Sequence, residues 1–186
     1  MGEKAAGVRL VILDRDGVIN HDSADFIRSP EDWVAIDGSL DAIRRLNRHG
    51  YTVAVASNQS GVGRGLFDLA TLDAIHRRMC DSATAAGGRI DRVVYCPHRP
   101  GEGCACRKPK PGLLLDLARH YGVPLEGVPV IGDSLRDIEA AQAAGARPVL
   151  VLTGNGRDAR LQLGADAPET HADLAAAVDA LTAEVR

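Results

Sequence analysis

Short apolar runs recur along the chain and alternate with stretches in which apolar residues return every three or four positions. Residues 8–13 (VRLVIL), 52–57 (TVAVAS), 90–95 (IDRVVY), 128–131 (VPVI) and 148–152 (PVLVL) are brief and mostly rich in β-branched residues, and so predict five strands. Between them, Leu40, Ile43 and Leu46 mark one face of a helix over 39–48 that stops at Gly50. Leu72, Ile75, Met79 and Ala83 mark a longer helix over 68–86, with Asp68 as its N-cap. Pro111 suits the first turn of a helix that runs through Leu114 and Leu117 to Gly122. Residues 134–144, closed by Gly145, and the tail from Asp173 to Val185 predict two more helices. His21 to Ile36 follows neither period and is expected to loop over a site.

Strands alternating with helices predict a Rossmann-like three-layer α/β/α sandwich around a mainly parallel sheet. No repeat, low-complexity block or linker interrupts the pattern, so residues 1–186 are expected to form one domain. Such sheets bind ligands beyond the carboxyl ends of their strands. The polar motifs fall at those ends: Asp14 and Asp16 after the first, Ser57 and Asn58 at the second, Cys96 at the third, Asp133 after the fourth.

The first strand end is the most informative. VILDRDGVIN places two aspartates one residue apart at the end of an apolar run, with Gly17 next. Carboxylates in such a place are costly unless a cation compensates them. Asp14 can offer a carboxylate oxygen to Mg²⁺, and Asp16 its backbone carbonyl. The cation would keep Asp14 ionised and neutralise a phosphate oxygen, so that one anion can approach another. Asp14 would then attack phosphorus and form an aspartyl-phosphate. Asp16 would protonate the leaving oxygen and later deprotonate the attacking water. The bland alternative is an ordinary strand-end turn.

Three further motifs extend this site. In SNQSG, Ser57 can donate to a phosphate oxygen and Asn58 can add another bond; a polar turn is the alternative. Lys108, in CRKPKPG, can set a positive charge against the transferring group, although most lysines are solvated. Arg107 is a candidate for a second phosphate or a sugar hydroxyl. In GDSLRD, Asp133 is placed as a further metal ligand. Asp137, one helical turn on, serves either a water-mediated metal contact or the helix N-terminus.

Composition changes the picture in two ways. The chain is 45% apolar and only 3% aromatic, so its core must be aliphatic. A net charge of −3 without a long basic run argues against a nucleic-acid partner. No apolar run approaches the roughly 18 residues of a membrane span, and the first ten residues lack a signal-peptide block, so the cytoplasm is expected. Three of four cysteines (Cys96, Cys104 and Cys106) crowd around His98 in CPHRPGEGCAC. In a reducing compartment this crowding favours metal over disulfides. Three thiolates and one imidazole make a closed tetrahedral zinc site, structural rather than catalytic. A flexible loop with free thiols is the alternative. Cys80 lies within a helix and is expected to be a small core residue.

The four motifs in order, Asp14/Asp16, Ser57, Lys108 and Asp133, resemble those of the haloacid-dehalogenase-like phosphatase superfamily over roughly residues 8 to 155. With the metal loop and NQSGxxRG, the chain is similar to two minimal groups without a large cap domain: the heptose bisphosphate phosphatases and the histidinol-phosphate phosphatases. The first implies removal of the 7-phosphate of a heptose 1,7-bisphosphate, on the route to lipopolysaccharide or related glycans. It also implies substrate contacts from Asp22, Ser23, Ala24 and Asp25, from Ser57, Asn58, Gln59 and Ser60, and from Arg107 and Lys108. Arg64 and Arg107 are candidates to grip the phosphate that is not cleaved. The sequence departs from many members at Val18, Ser57, Ser134 and the DSAD of residues 22–25. The alternatives are histidinol phosphate, a DNA 3′-phosphate, and a zinc-dependent binding module without catalysis. Nothing in the sequence demands a partner chain, so a monomer is expected.

Overall fold

The computed structural model describes residues 8–184. β1 (Arg9–Leu13), β2 (Tyr51–Asn58), β3 (Arg92–Cys96), β4 (Pro129–Gly132), β5 (Arg147–Val151) and β6 (Glu169–His171) form one six-stranded sheet in the order β3-β2-β1-β4-β5-β6. Every pairing is parallel. The helices are α1 (Ser39–Arg48), α2 (Ser60–Gly63), α3 (Leu69–Ala85), α4 (Gly112–Tyr121), α5 (Leu135–Ala143), α6 (Gly156–Leu163) and α7 (Leu174–Ala183).

The two faces of β1 explain the layers. Side chains alternate across a strand, so Val11 and Leu13 share a cluster with Ile43 and Leu46 of α1, Ile75 and Met79 of α3, and Val178 and Leu181 of α7. Leu10 and Ile12 join Leu114 and Leu117 of α4 and Ala140 and Ala141 of α5 instead. Helices therefore cover both faces, which is why the central strands read as unbroken apolar runs. Each large aliphatic side chain buried in these clusters stabilises by roughly 1.5–3 kcal/mol. The Asp68 carboxylate accepts from the N–H of Thr71 and caps α3 as expected. Cys80 packs beside the first cluster.

The outer elements depart from the sequence expectation. β6 adds a sixth strand of only three residues (ETH), too short and polar to show a period. α6 (GRDARLQL) buries little besides Ala159 and leaves Leu161 80% exposed, so it lacks an apolar stripe. The segment 21–36 is largely irregular but holds a short 3₁₀ turn, Pro30–Asp32. α7 was expected to run to Val185, which lies outside the described residues. Among the described residues no helix is long and apolar enough to cross a membrane.

Candidate active site

The carboxyl ends of β1, β2 and β4 and the loop before α4 meet at a cavity of about 190 Å³, whose wall includes Asp14, Asp16, Ser57, Lys108, Asp133 and Asp137. The Asp14 N–H donates to Ile131 O of β4 at 2.9 Å, which locks the end of β1 to its neighbour. Gly17 then turns the chain with φ +80°, and a methyl group there would overlap the Asp133 carboxylate. The same carboxylate would overlap a side chain at Gly154, beyond β5. Two glycines are thus required for Asp133 to approach Asp14.

Carboxylate oxygens of Asp14, Asp133 and Asp137 all lie within 4.8 Å of one another. Lys108, only 3% exposed, is their counter-ion. Its Nζ lies 2.9 Å from Asp14 Oδ1 and 2.6 Å from Asp137 Oδ1, and donates to Ala56 O at 2.8 Å. The Asn58 side chain fixes the lysine backbone: Nδ2 donates to Lys108 O at 3.0 Å, and Oδ1 accepts from Lys108 N at 3.1 Å. One N–H of that amide is thus engaged by Lys108, while Asn58 also lines the cavity. Asp137 also accepts from Ser134 N and Oγ, at 3.1 and 2.6 Å, so it caps α5 and neutralises the lysine at once. Ser134 is thus part of a cap.

One lysine does not balance three crowded acids. Burial, and then the Asp137 and Asp133 charges against the pull of Lys108, raise Asp14 to about 8. Burial and Asp137 raise Asp133 to about 6, although the Asn155 N–H donates to it at 2.8 Å. Lys108 is held above its ordinary range: burial opposes its charge, and Asp137 and Asp14 overrule it. A divalent cation among these oxygens would relieve the repulsion, so the donor set fits a hard, oxygen-seeking ion.

These shifts set the pH response of the metal-free protein. Asp14 keeps its proton to about 8 when folded but releases it near 3.8 when unfolded. The folded state binds more protons across that range, so stability falls as pH rises through it. Asp133 acts with the same sign up to about 6. His76 opposes them: burial, and then the Arg15 charge, lower it to about 4, so its contribution is lost as pH falls below 6.5. Calorimetry in EDTA is expected to show wild type losing stability relative to Asp14→Asn between pH 6.5 and 8.5, with Mg²⁺ narrowing the gap. Parallel melting curves for the two proteins would contradict this.

Just before Lys108 in sequence, Cys96, His98, Cys104 and Cys106 converge. His98 Nδ1 lies 3.4 Å from both Cys96 Sγ and Cys106 Sγ, and Cys96 Sγ lies 3.7 Å from Cys104 Sγ. A tetrahedral zinc with ordinary bond lengths spaces its ligands about 3.5 Å (S···N) and about 3.8 Å (S···S) apart. The sulfur separation far exceeds the about 2.05 Å of a disulfide. Burial, and hydrogen bonding from Cys106, push the Cys96 thiol up to about 12, a state that a cation would reverse.

Among the residues expected to bind substrate, Asp22, Ser23, Ser57, Asn58, Gln59, Ser60, Arg107 and Lys108 line the cavity. Ala24 and Asp25 do not; they face neighbouring surface clefts. Arg64 also lies outside the wall, its guanidinium 5.8 Å from the centre of the Phe26 ring, which does line it. Arg136 and Asn155 contribute to the wall without having been singled out in the sequence. Their signals, an arginine in the first turn after GDS and an asparagine in GNG, are too common to have found them.

The parallel sheet with acids after β1 and β4 and a buried lysine between them defines a haloacid-dehalogenase-like hydrolase. Comparisons with known proteins agree. The HAD-hydrolase-like family model matches residues 105–178, and the polynucleotide kinase 3 phosphatase model matches residues 9–135. The D-glycero-β-D-manno-heptose-1,7-bisphosphate 7-phosphatase of Bordetella bronchiseptica is 52% identical, over 95% of this chain and 99% of its own. That of Pseudomonas aeruginosa is 51% identical, over 92% and 97%. The crystal structure of the B. bronchiseptica D,D-heptose 1,7-bisphosphate phosphatase, complexed with magnesium and phosphate, superposes with a TM-score of 0.92 over 95% of this chain and 99% of that one. The Burkholderia thailandensis D,D-heptose 1,7-bisphosphate phosphatase is 45% identical, with a TM-score of 0.74, over 93% and 97%. The chain belongs to the D-glycero-β-D-manno-heptose-1,7-bisphosphate 7-phosphatase family.

Proposed function

We propose that the chain is a Mg²⁺-dependent phosphatase that removes the 7-phosphate of D-glycero-β-D-manno-heptose 1,7-bisphosphate, supplying heptose for lipopolysaccharide or a related glycan. The observation that carries this reading is the ion pair between buried Lys108 and Asp14 on the wall of a cavity shared with Asp133. Asp14 and Asp133 would hold Mg²⁺ through carboxylates and Asp16 through its backbone carbonyl. Bound there, the cation offsets the carboxylate and phosphate charges.

The protein's own groups carry the steps. Asp14 attacks phosphorus, and the P–O bond to the sugar breaks as Asp16 passes its proton to the leaving oxygen. Asp16 then takes a proton from a water that attacks the aspartyl-phosphate, releasing phosphate and restoring Asp14. Lys108 and the Ser57 hydroxyl face the charge that develops on the phosphoryl oxygens. Arg107, which lines the cavity together with Arg136, would hold the second phosphate.

Zinc on Cys96, His98, Cys104 and Cys106 would fold the loop that carries Arg107 and Lys108. Cys104→Ser is expected to lose the zinc and make residues 96–110 sensitive to protease. Activity should fall about 10- to 100-fold, through misplacement rather than lost chemistry. Full activity without metal in the loop would contradict this.

A second reading, hydrolysis of a 3′-phosphate on a polynucleotide, is favoured by the family model that matches residues 9–135. Phosphate release distinguishes them, measured with heptose 1,7-bisphosphate, histidinol phosphate and a 3′-phosphorylated oligonucleotide, with and without Mg²⁺. The heptose is expected to give the largest kcat/KM, by about 100-fold or more, and only with Mg²⁺. A higher value for either other substrate would overturn the assignment.

A further inference from the structure

Arg15 stands between the two aspartates and has no part in the steps above. It is 1% exposed, the largest fully buried side chain among the described residues. Its Nε donates to Asp16 Oδ1 and its Nη2 to Asp16 Oδ2, each at 2.9 Å. This fork fixes the plane of a carboxylate as well as its position. Nη2 also donates to Gln59 Oε1 at 3.1 Å. Gln59 Nε2 in turn lies 2.8 Å from Asp16 Oδ2 and 2.8 Å from Ser57 Oγ. Asn20 Nδ2 donates to the other oxygen, Asp16 Oδ1, at 2.9 Å. Three side chains, from two separate stretches of chain, thus hold one carboxylate and tie it to the Ser57 hydroxyl.

Stability does not account for this arrangement. A buried ion pair does no better than well-packed apolar side chains of similar volume, and often worse. Arg15 Nη1 and the nearby buried His76 Nε2 lack hydrogen-bond partners, a further cost of enclosing the guanidinium. We infer that Arg15 is a positioning residue: with Gln59, it orients the Asp16 carboxylate toward the leaving oxygen of the ester. This rests on the acid and base role given to Asp16 above. Arg15 exchanges no proton and touches no reacting atom; it acts through Asp16.

Leaving-group dependence tests the idea. A sugar alkoxide needs the Asp16 proton as the P–O bond breaks, whereas p-nitrophenolate departs without one. Rapid-quench rates of the first turnover would be compared for heptose 1,7-bisphosphate and p-nitrophenyl phosphate, at saturating Mg²⁺. Arg15→Met is expected to slow the sugar ester about 100-fold and p-nitrophenyl phosphate less than about 5-fold. Arg15→Lys, a charge without the fork, should keep a sugar-ester deficit of at least about 10-fold. Gln59→Met, which leaves the buried ion pair in place, should show the same selective loss if Arg15→Met fails to fold. Equal losses on both esters, no loss, or full recovery in Arg15→Lys would overturn the inference. Asp16→Asn is the control. If it shows the selective loss and neither Arg15 nor Gln59 variants do, only the positioning role fails. If Asp16→Asn shows none, the role of Asp16 fails with it.

Discussion

Asp14→Asn is expected to lower phosphate release by at least about 10⁴-fold while the fold persists. The amide has nearly the shape of the carboxylate but is no nucleophile, and it carries no charge to hold a cation. The loss should therefore appear in kcat, with Mg²⁺ affinity weakened as well. Folding should not suffer. The wild-type carboxylate sits among Asp133 and Asp137 and is raised to about 8 chiefly by burial, so its charge is a burden on the metal-free protein. Calorimetry in EDTA near pH 8 should show the variant melting no lower than wild type. Activity within about 100-fold of wild type would remove Asp14 from the nucleophile's role.

Lys108→Met is expected to damage both stability and rate. The lysine is 3% exposed and balances Asp14 and Asp137 together. Removing one member of a buried ion pair leaves the other charge uncompensated, at a cost of about 3–5 kcal/mol. The acids can escape part of that cost by taking up protons, so the deficit should be larger at pH 8 than at pH 5 in EDTA, and Mg²⁺ should recover part of it. Turnover should fall about 10²–10³-fold, the usual loss for a group that faces transition-state charge. Urea denaturation at the two pH values, with activity measured where the variant is folded, checks both parts. A variant as stable as wild type at pH 8 would show that the lysine does not balance these acids.

The centre of the fold was legible because its physics is local. A strand buried on both faces must be apolar throughout, and VILD and VIGD end their runs in acids that no core would accept without a partner. The edge was less legible. β6 pairs with β5 through three residues, and nothing in Glu169–His171 separates a strand from a turn. The same division holds at the site. Asp14 and Asp133 announce themselves by position at strand ends, and Lys108 by the CRKPKPG motif just before α4. Arg15 does not: its contact with Gln59 spans 44 residues, and an arginine between two aspartates looks like one more solvated charge. Asn58 lines the cavity beside Ser57, and its side chain also holds the Lys108 backbone across 50 residues, a contact its motif does not announce. Arg136 reaches the cavity from the first turn of α5 and lines a neighbouring cleft with Cys104 and Arg107, a placement that its sequence surroundings do not announce.

The steric course at phosphorus tests most directly whether Asp14 accepts the phosphoryl group. An aryl phosphate made chiral with three oxygen isotopes would be hydrolysed in the presence of Mg²⁺ and the released phosphate analysed by NMR. Two successive in-line displacements, first by Asp14 and then by water, give net retention of configuration. Net inversion would mean that water attacks the ester itself, and that no phosphoryl-enzyme forms on this side chain.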